Sequence, residues 1–371
     1  MQRISIKHLK SGMIVARNIY DADGHKLLSK DVILNEQYIA RLHNLTIPAV
    51  YVKFSNDDNI NYPDDIVSEQ TRVRAIKSLN IAFRKCQLTN TVDLKLMKEI
   101  TRNILDALLV NRTNIVQMND IRCYDDYTFA HSVNVCILST MLAISCQYPI
   151  KKLLEISLGA LLHDVGKIKI PQKILNKPAS LSEEEFAVIK KHSEYGFDIL
   201  RQSQDMSVVP MHVAFQHHEK FNGTGYPRGL KGTEIHEYAR IVAIADVYDA
   251  ITSDRPYKNA CAPYEAYKIM VQNSNLQFDN ILLEKFFSYI AVFPVGSIVQ
   301  LNSGEYALVA AVEQGFTFSP TVKLLATANR DMLKNRVTLN LKLENMPYID
   351  RMLCETESIE FNALLYNKKS D

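Results

Sequence analysis

Two adjacent imidazoles open the most chemically loaded stretch of this chain, His217-His218-Glu219-Lys220-Phe221-Asn222-Gly223-Thr224-Gly225-Tyr226-Pro227. The pair offers two nitrogen ligands to a transition metal, and the glycines let the backbone fold closely around it. A second ligand pair, His163-Asp164, lies upstream, and an acidic helix from Asp246 to Asp249 lies downstream. A carboxylate beside an imidazole can bridge two metal ions while the imidazole caps one of them. Asp246 sits in an apolar run, Ile241-Val242-Ala243-Ile244-Ala245-Asp246-Val247, where a buried carboxylate is costly unless it is paired or metal-bound. Asp249, three residues on, shares its helix face. His131 and His192 complete the set. Taken singly, each has an ordinary structural reading: His131 as a satisfied core residue, His192 as a partly exposed helix histidine, Asp246 as a cap or ion-pair partner. Taken together, the order His, His-Asp, His, His-His, Asp on successive helices points to one dispersed metal site.

The elements that must position these residues follow from periodicity. Residues 120 to about 292 are predominantly helical. Leu153 to Leu162 is apolar nearly all round, as a core helix is. Its C-terminal end would project His163 and Asp164 into the domain interior. Ser182-Glu183-Glu184-Glu185 forms a capping box that opens a helix carrying His192 to about Leu200. Tyr238 to Ser253 is a further apolar helix, stopped near Arg255-Pro256. The N-terminal residues 1–60 form a small α/β unit, with strands at Ile4–Ile6, Ile14–Ile19 and Ala49–Phe54 and a short helix at Glu36–Leu42. A polar, turn-rich linker begins at Ser55. Over 61–115, apolar residues at helical spacing (Ile76, Leu79, Phe83, then Leu96, Ile100, Ile104, Leu108) predict a two-helix connector. Residues 116–292 form the site-bearing domain, and 293–371 a small β-rich C-terminal appendage with strands at Ser297–Leu301, Tyr306–Val312 and Thr321–Leu325. The fold class expected is mainly α.

Composition narrows the function classes. At 371 residues the chain can bury a sizeable core in two or three domains. A formal net charge of +2 argues against a polymeric nucleic-acid partner, though a local basic pocket for a small phosphate ligand is compatible with it. The six cysteines form no CxxC pair, a pattern that fits a reducing compartment. The N-terminus carries no apolar signal region, and the apolar run Ile290 to Val299 is broken by Pro294 and Gly296, so neither a secretory signal nor a membrane span is expected. The expected location is cytoplasmic.

His163-Asp164-Val165-Gly166-Lys167 resembles the core motif of the HD-superfamily metal-dependent phosphohydrolases. His217-His218-Glu219 with Gly225-Tyr226-Pro227, Leu230, Gly232 and Glu234-Ile235 resembles the HD-GYP subfamily in particular. The segment from Ala245-Asp246-Val247-Tyr248-Asp249 to Arg255-Pro256-Tyr257-Lys258 is similar to that subfamily's following helix. The resemblance covers about residues 120–292. It implies an all-helical HD-type catalytic domain that hydrolyses a cyclic dinucleotide, usually cyclic di-GMP, to the linear form pGpG and on to GMP in some members. It implies two divalent metal ions (Fe, Mn or Mg): one held by His131, His163, Asp164 and Asp246, a second by His192, His217 and His218, with Asp164 shared. A metal-bridging hydroxide would attack, and Asp164 and Lys167 are the catalytic residues implied. Lys167, Arg255, Lys258 and Tyr226 would contact substrate; the structural reading of Arg255 and Lys258 is an exposed basic helix end. Some members carry a glutamate four residues before the first metal histidine, which helps hold a third metal. Here Tyr127 stands there, and two metals are expected. The alternatives are a phosphodiesterase for a mixed cyclic GMP-AMP, a non-catalytic cyclic-dinucleotide-binding adaptor, and an HD hydrolase of nucleoside triphosphates or alarmones. A homodimer or signalling partner would engage the N-terminal region.

Overall fold

The structure, a computed structural model, describes residues 1–371 apart from 22–24, 54–59, 61, 64, 112–126, 178, 254–259 and 368–371. In the N-terminal region, β1 (Gln2–Ser5), β2 (Ile14–Val15) and β5 (Ala49–Lys53) form an antiparallel sheet in the order β1-β5-β2, and β3 (Ile19–Tyr20) pairs with β4 (Lys26–Leu28). Ile4, Val15, Val50 and Val52 point from the strands into one core, joined by Leu42 of α1 (Glu36–Asn44). The Asn35 side chain caps α1 by accepting from the Tyr38 N–H. The run expected to be one strand from Ile14 to Ile19 is divided between two sheets.

A helical body follows. Ser68 caps α2 (Glu69–Thr89), which ends on Asn90 in the left-handed conformation, and Asp93 caps α3 (Leu94–Val110). The sequence treats this pair as a connector. In the structure Ile66–Asn114 and Asp125–Phe286 form one compact unit. Val73, Leu79 and Phe83 of α2 and Met97, Ile100, Ile104 and Leu108 of α3 are buried, with α2 on α4 and α3 on α5. Their apolar faces are satisfied by the site-bearing helices.

Those helices are α4 (Tyr127–Ser145), α5 (Ile150–Leu162), α6 (Gln172–Leu175), α7 (Glu183–Lys190), α8 (His192–Gln202), α9 (Val208–Gln216), α10 (Glu237–Thr252), α11 (Pro263–Gln272) and α12 (Asn280–Tyr289). Helix α4 packs on α5 and α10, and α9 packs on α5 and α8. The stretch Thr128–Ser145 is long and apolar enough to cross a membrane, but 78% of it is buried inside the fold, as suits a core helix. The capping box at Ser182 is present, with Glu185 returning to the Ser182 N–H. The helix it opens stops at Lys190, and His192 begins a new one after a single turn residue.

The C-terminal part belongs to the same compact unit as Met1–Asp65. Its antiparallel sheet runs β10-β6-β7-β8-β9, from β6 (Ile298–Leu301), β7 (Tyr306–Ala311), β8 (Thr321–Ala326), β9 (Thr338–Asn340) and β10 (Ile349–Met352). A final helix, α13 (Glu355–Asn367), seats Phe361 against Tyr306 with ring centroids 5.0 Å apart. The sequence reading foresees β6, β7 and β8 and misses β9, β10 and α13.

Candidate metal centre

Helix α5 ends at Leu162, and the chain turns into a short 3-10 segment, Val165–Lys169, directly after His163 and Asp164. This turn must lie against the start of α8. A Cβ on Gly166 would fall 1.9 Å from the His192 carbonyl oxygen and 2.4 Å from the Gly196 nitrogen. Only glycine permits that approach, and it brings Asp164 to within reach of His192. His163, Asp164, His192 and His217 are all buried.

The rings are oriented from behind. The Nδ1 of His163 lies 2.7 Å from the Ala160 carbonyl, that of His192 2.7 Å from the Ile189 carbonyl, and that of His217 3.0 Å from the Ala214 carbonyl. A carbonyl can only accept, so each Nδ1 carries a proton and each Nε2 is turned toward the pocket. Burial, followed by the neighbouring imidazoles, pushes His217 well below its ordinary value. His192 is lowered mainly by burial. Two neutral rings therefore face each other with their Nε2 atoms 3.3 Å apart. Two bare lone pairs at that distance repel unless a cation sits beside them. Asp164 Oδ1 lies 3.3 Å from the His192 Nε2 and 3.7 Å from the His217 Nε2. Its other oxygen, Oδ2, is 3.3 Å from the His163 Nε2 and 3.9 Å from the His131 Nε2. Asp164 Oδ1 and His163 Nε2 are buried with no hydrogen-bond partner, an arrangement that is expensive without an ion. The donor set, imidazole nitrogen plus carboxylate oxygen, suits a divalent transition metal. The cluster fits a metal site.

The far side of Asp164 is built differently. His131 and Asn134 share one face of α4, and Asp246 and Asp249 share one face of α10. The His131 Nδ1 donates to Asp249 Oδ2 at 2.7 Å, while its Nε2 lies 3.1 Å from Asp246 Oδ1. Burial would lower the His131 pKa, but hydrogen bonds to Asp246 and Asp249 overcome it and raise it to about 9. Without a cation, His131 is an imidazolium clasped by two carboxylates. Asp164 is opposed by burial too, yet Lys167 and the surrounding imidazoles hold it well below the usual carboxylate range. The Lys167 ammonium pairs with Asp164 Oδ2, a positive charge resting on the carboxylate that both sides share.

The glycine-rich segment closes the pocket beside His218. Glu219, buried, accepts from the Arg228 N–H at 2.8 Å and the Leu230 N–H at 3.0 Å. The Tyr226 N–H reaches back to the His218 carbonyl at 3.2 Å. A Cβ on Gly225 would stand 2.3 Å from the Lys220 nitrogen, so this loop also needs glycine. The fold-back lays the Tyr226 ring over His218, centroids 4.8 Å apart and 31° between planes. Burial, followed by the charge of Asp246, leaves His218 at about 3, the burial outweighing the carboxylate.

The structure thus brings His131, His163, Asp164, His192, His217, His218, Asp246, Lys167 and Tyr226 into one neighbourhood. Two groups have ligand atoms within 4.8 Å of one another: Asp164 with His192, His217 and His218, and Asp164 with His131 and His163. Asp246 joins the second group through His131 and lies 4.0 Å from His218 Nδ1. Arg255 and Lys258 lie outside the described residues, as does the Tyr127 side chain. Sequence reasoning placed Asp249 on the Asp246 face without giving it a task. It passed over Asn134, which the same three-residue spacing from His131 could have found. Glu219 carries no such signal, because an acid beside two histidines reads equally well as a ligand.

Residues 111–282 match the HD domain family. A cyclic di-GMP phosphodiesterase of Pseudomonas aeruginosa is 34% identical over 255 residues, 69% of this chain and 61% of the relative, so the chain spans less than two thirds of that protein's length. A cyclic di-GMP phosphodiesterase of Thermotoga maritima is 44% identical over 133 residues, 36% of each chain. A 3'3'-cGAMP-specific phosphodiesterase of Vibrio cholerae is 40% identical over 136 residues, 35% of this chain and 26% of the relative.

Proposed function

We propose, from the premise that this chain belongs to the HD-domain family through residues 111–282, that it is a metal-dependent phosphodiesterase opening cyclic di-GMP to linear pGpG. The observation that carries the proposal is Asp164, whose two oxygens each lie 3.3 Å from an imidazole nitrogen on opposite sides, His163 and His192. His131, His163 and Asp246 would hold one divalent cation and His192, His217 and His218 a second, with Asp164 available to both. Two such ions (Fe, Mn or Mg), held there, would supply charge to neutralise the phosphodiester and would lower the pKa of a water for attack. Lys167, three residues from Asp164 and already paired with it, stabilises charge that develops on the phosphate. Tyr226, with the Lys190 ammonium 6.0 Å from its ring centroid, forms a wall against which the substrate packs, and Arg255 and Lys258 contact its phosphates. The described cysteines are free thiols, which supports a cytoplasmic setting.

The test is product analysis by chromatography, with cyclic di-GMP incubated with the metal-free chain and with Mg, Mn or Fe(II) supplied in turn. Linear pGpG should form only with metal, and Asp164→Ala should abolish it. Tight nucleotide binding with no product under any metal would replace the enzyme with an adaptor. The Vibrio relative named for 3'3'-cGAMP favours a second substrate reading. The same assay with the mixed dinucleotide decides between them by relative kcat/KM.

A further inference from the structure

Helix α2 lies outside the 111–282 match, yet one of its side chains reaches toward the metal centre. Arg72 donates through Nη1 to Asn134 Oδ1 at 2.9 Å. Asn134 is buried and donates through Nδ2 to Asp249 Oδ1 at 3.0 Å. Asp249, fully buried, accepts from the His131 Nδ1 on its other oxygen at 2.7 Å. From this chain we infer that Arg72 is a positioning residue of the metal centre, acting on His131 through Asn134 and Asp249.

Each link fixes the next by donor and acceptor logic alone. A guanidinium can only donate, so the amide oxygen of Asn134 must face Arg72. The amide N–H then faces Asp249, which as a carboxylate can only accept. With one oxygen held by Asn134, Asp249 offers the other to His131. That bond turns the imidazole so that its Nε2 points at Asp246 and Asp164. A cation on the amide oxygen also polarises the amide and strengthens its N–H as a donor. Without Arg72, the amide is held only at its Asp249 end and its oxygen loses the cation that fixes and polarises it. A reversed Asn134 would set an oxygen against the Asp249 carboxylate, and the two acceptors would repel. The His192, His217 and His218 side has no link in this relay, because His192 is anchored on the Ile189 carbonyl at the end of α7 and His217 on the Ala214 carbonyl of α9.

The inference rests on the metal-centre reading, and the experiment separates the two. The metal-free full-length chain is titrated with Mn2+ alone by calorimetry, for the wild type, Arg72→Met, Arg72→Lys and His131→Ala. Methionine keeps an apolar stem for packing against α4 and removes the donors; lysine restores a cationic donor. Thermal unfolding of each metal-free variant reports on the fold. The wild type should show two Mn2+ affinities. Arg72→Met should weaken one of them about 10-fold, the size typical when a partner behind a metal ligand is lost, and leave the other unchanged. The weakened affinity should be the one that His131→Ala removes, and Arg72→Lys should recover most of it. Unchanged affinities in Arg72→Met would overturn the inference while leaving the metal centre standing. So would a fall in both affinities that tracks a lowered Tm equally in Met and Lys variants, which would make Arg72 a bolt between α2 and α4. A wild type that binds no Mn2+ would remove the metal centre and the inference together.

Discussion

Across Asp164, His131 is held by a different means from His192 and His217, while its companion His163 rests on the Ala160 carbonyl. On one side, His192 and His217 are anchored by backbone carbonyls and stay neutral, their basicity lowered chiefly by burial. On the other, His131 is anchored by the Asp249 carboxylate, faces Asp246, and is raised to about 9. A carbonyl fixes the tautomer of a ring without adding charge. A carboxylate fixes it and makes the ring more basic. One side is therefore a ready set of lone pairs, whereas the other must give up a proton before a cation can use its nitrogen. The difference predicts that the two metal positions differ in affinity and in pH response even though they share a carboxylate.

The most severe way to break the comparison is to remove what the sides share. Asp164→Ala should abolish metal binding at both positions and lower turnover roughly a thousand-fold or more. Elemental analysis of the purified variant checks the first point and steady-state kinetics the second. Retention of a full metal complement would show that Asp164 does not bridge. Next in size are variants that remove one side only. His192→Ala and Asp246→Ala should each leave about one equivalent of metal, with the survivor weaker in the first case at low pH because its ligand His131 is protonated there. Loss of both metals from either variant would mean that the sides form one cooperative site, and the contrast drawn above would fail. Gly166→Ala acts on the geometry alone. Its Cβ would meet the His192 carbonyl at 1.9 Å, and a backbone atom cannot swing aside. The expected penalty is about 1–3 kcal/mol, read as a lowered Tm, with the metal position at His192 weakened more than the one at His131.

How much of this was legible in the sequence tracks the same division. The ligands themselves were visible because each sits at a helix end or on a helix face whose periodicity is strong: His163-Asp164 after the apolar α5, Asp246 within the apolar α10. The neutral side was nearly complete on those grounds, since its anchoring partners are carbonyls that every helix carries. The charged side was not. Asp249 was seen on the right face, but its partner His131 comes from a segment more than a hundred residues away, and pairing α4 against α10 is a tertiary fact. Arg72 was invisible for the same reason, whereas Asn134 was at least marked by its three-residue spacing from His131. In the fold, α2 and α3 read as a connector because amphipathic periodicity says which face is buried and not against what. Strands β9 and β10 were missed because they are short and their burial does not alternate cleanly, as in Thr338–Asn340 with its exposed and half-buried residues.

The mildest test uses no substitution and asks whether the two sides pull stability in opposite directions with pH. For the metal-free chain, the His131 value in the folded state, about 9, lies above the ordinary imidazole value of 6.5. Its contribution is full below 6.5 and is lost as pH rises toward 9. The folded His218 value, about 3, lies below 6.5, and His192 and His217 are lowered as well. These rings are held neutral in the fold, so the unfolded chain takes up protons more readily as pH falls below 6.5, and stability declines there. The lowered carboxyls of Asp164 and Asp246 lose their contribution only on descending past the ordinary Asp value of 3.8, outside this window. Tm of the metal-free protein should therefore peak near pH 6.5 and fall on both sides, by a few degrees per roughly 1 kcal/mol lost. His131→Gln should flatten the alkaline limb and leave the acid limb in place. A wild-type Tm that climbs steadily from pH 5 to 9 would show that the carboxylate clasp on His131 does not raise its basicity, and that the two sides differ in their partners without differing in charge.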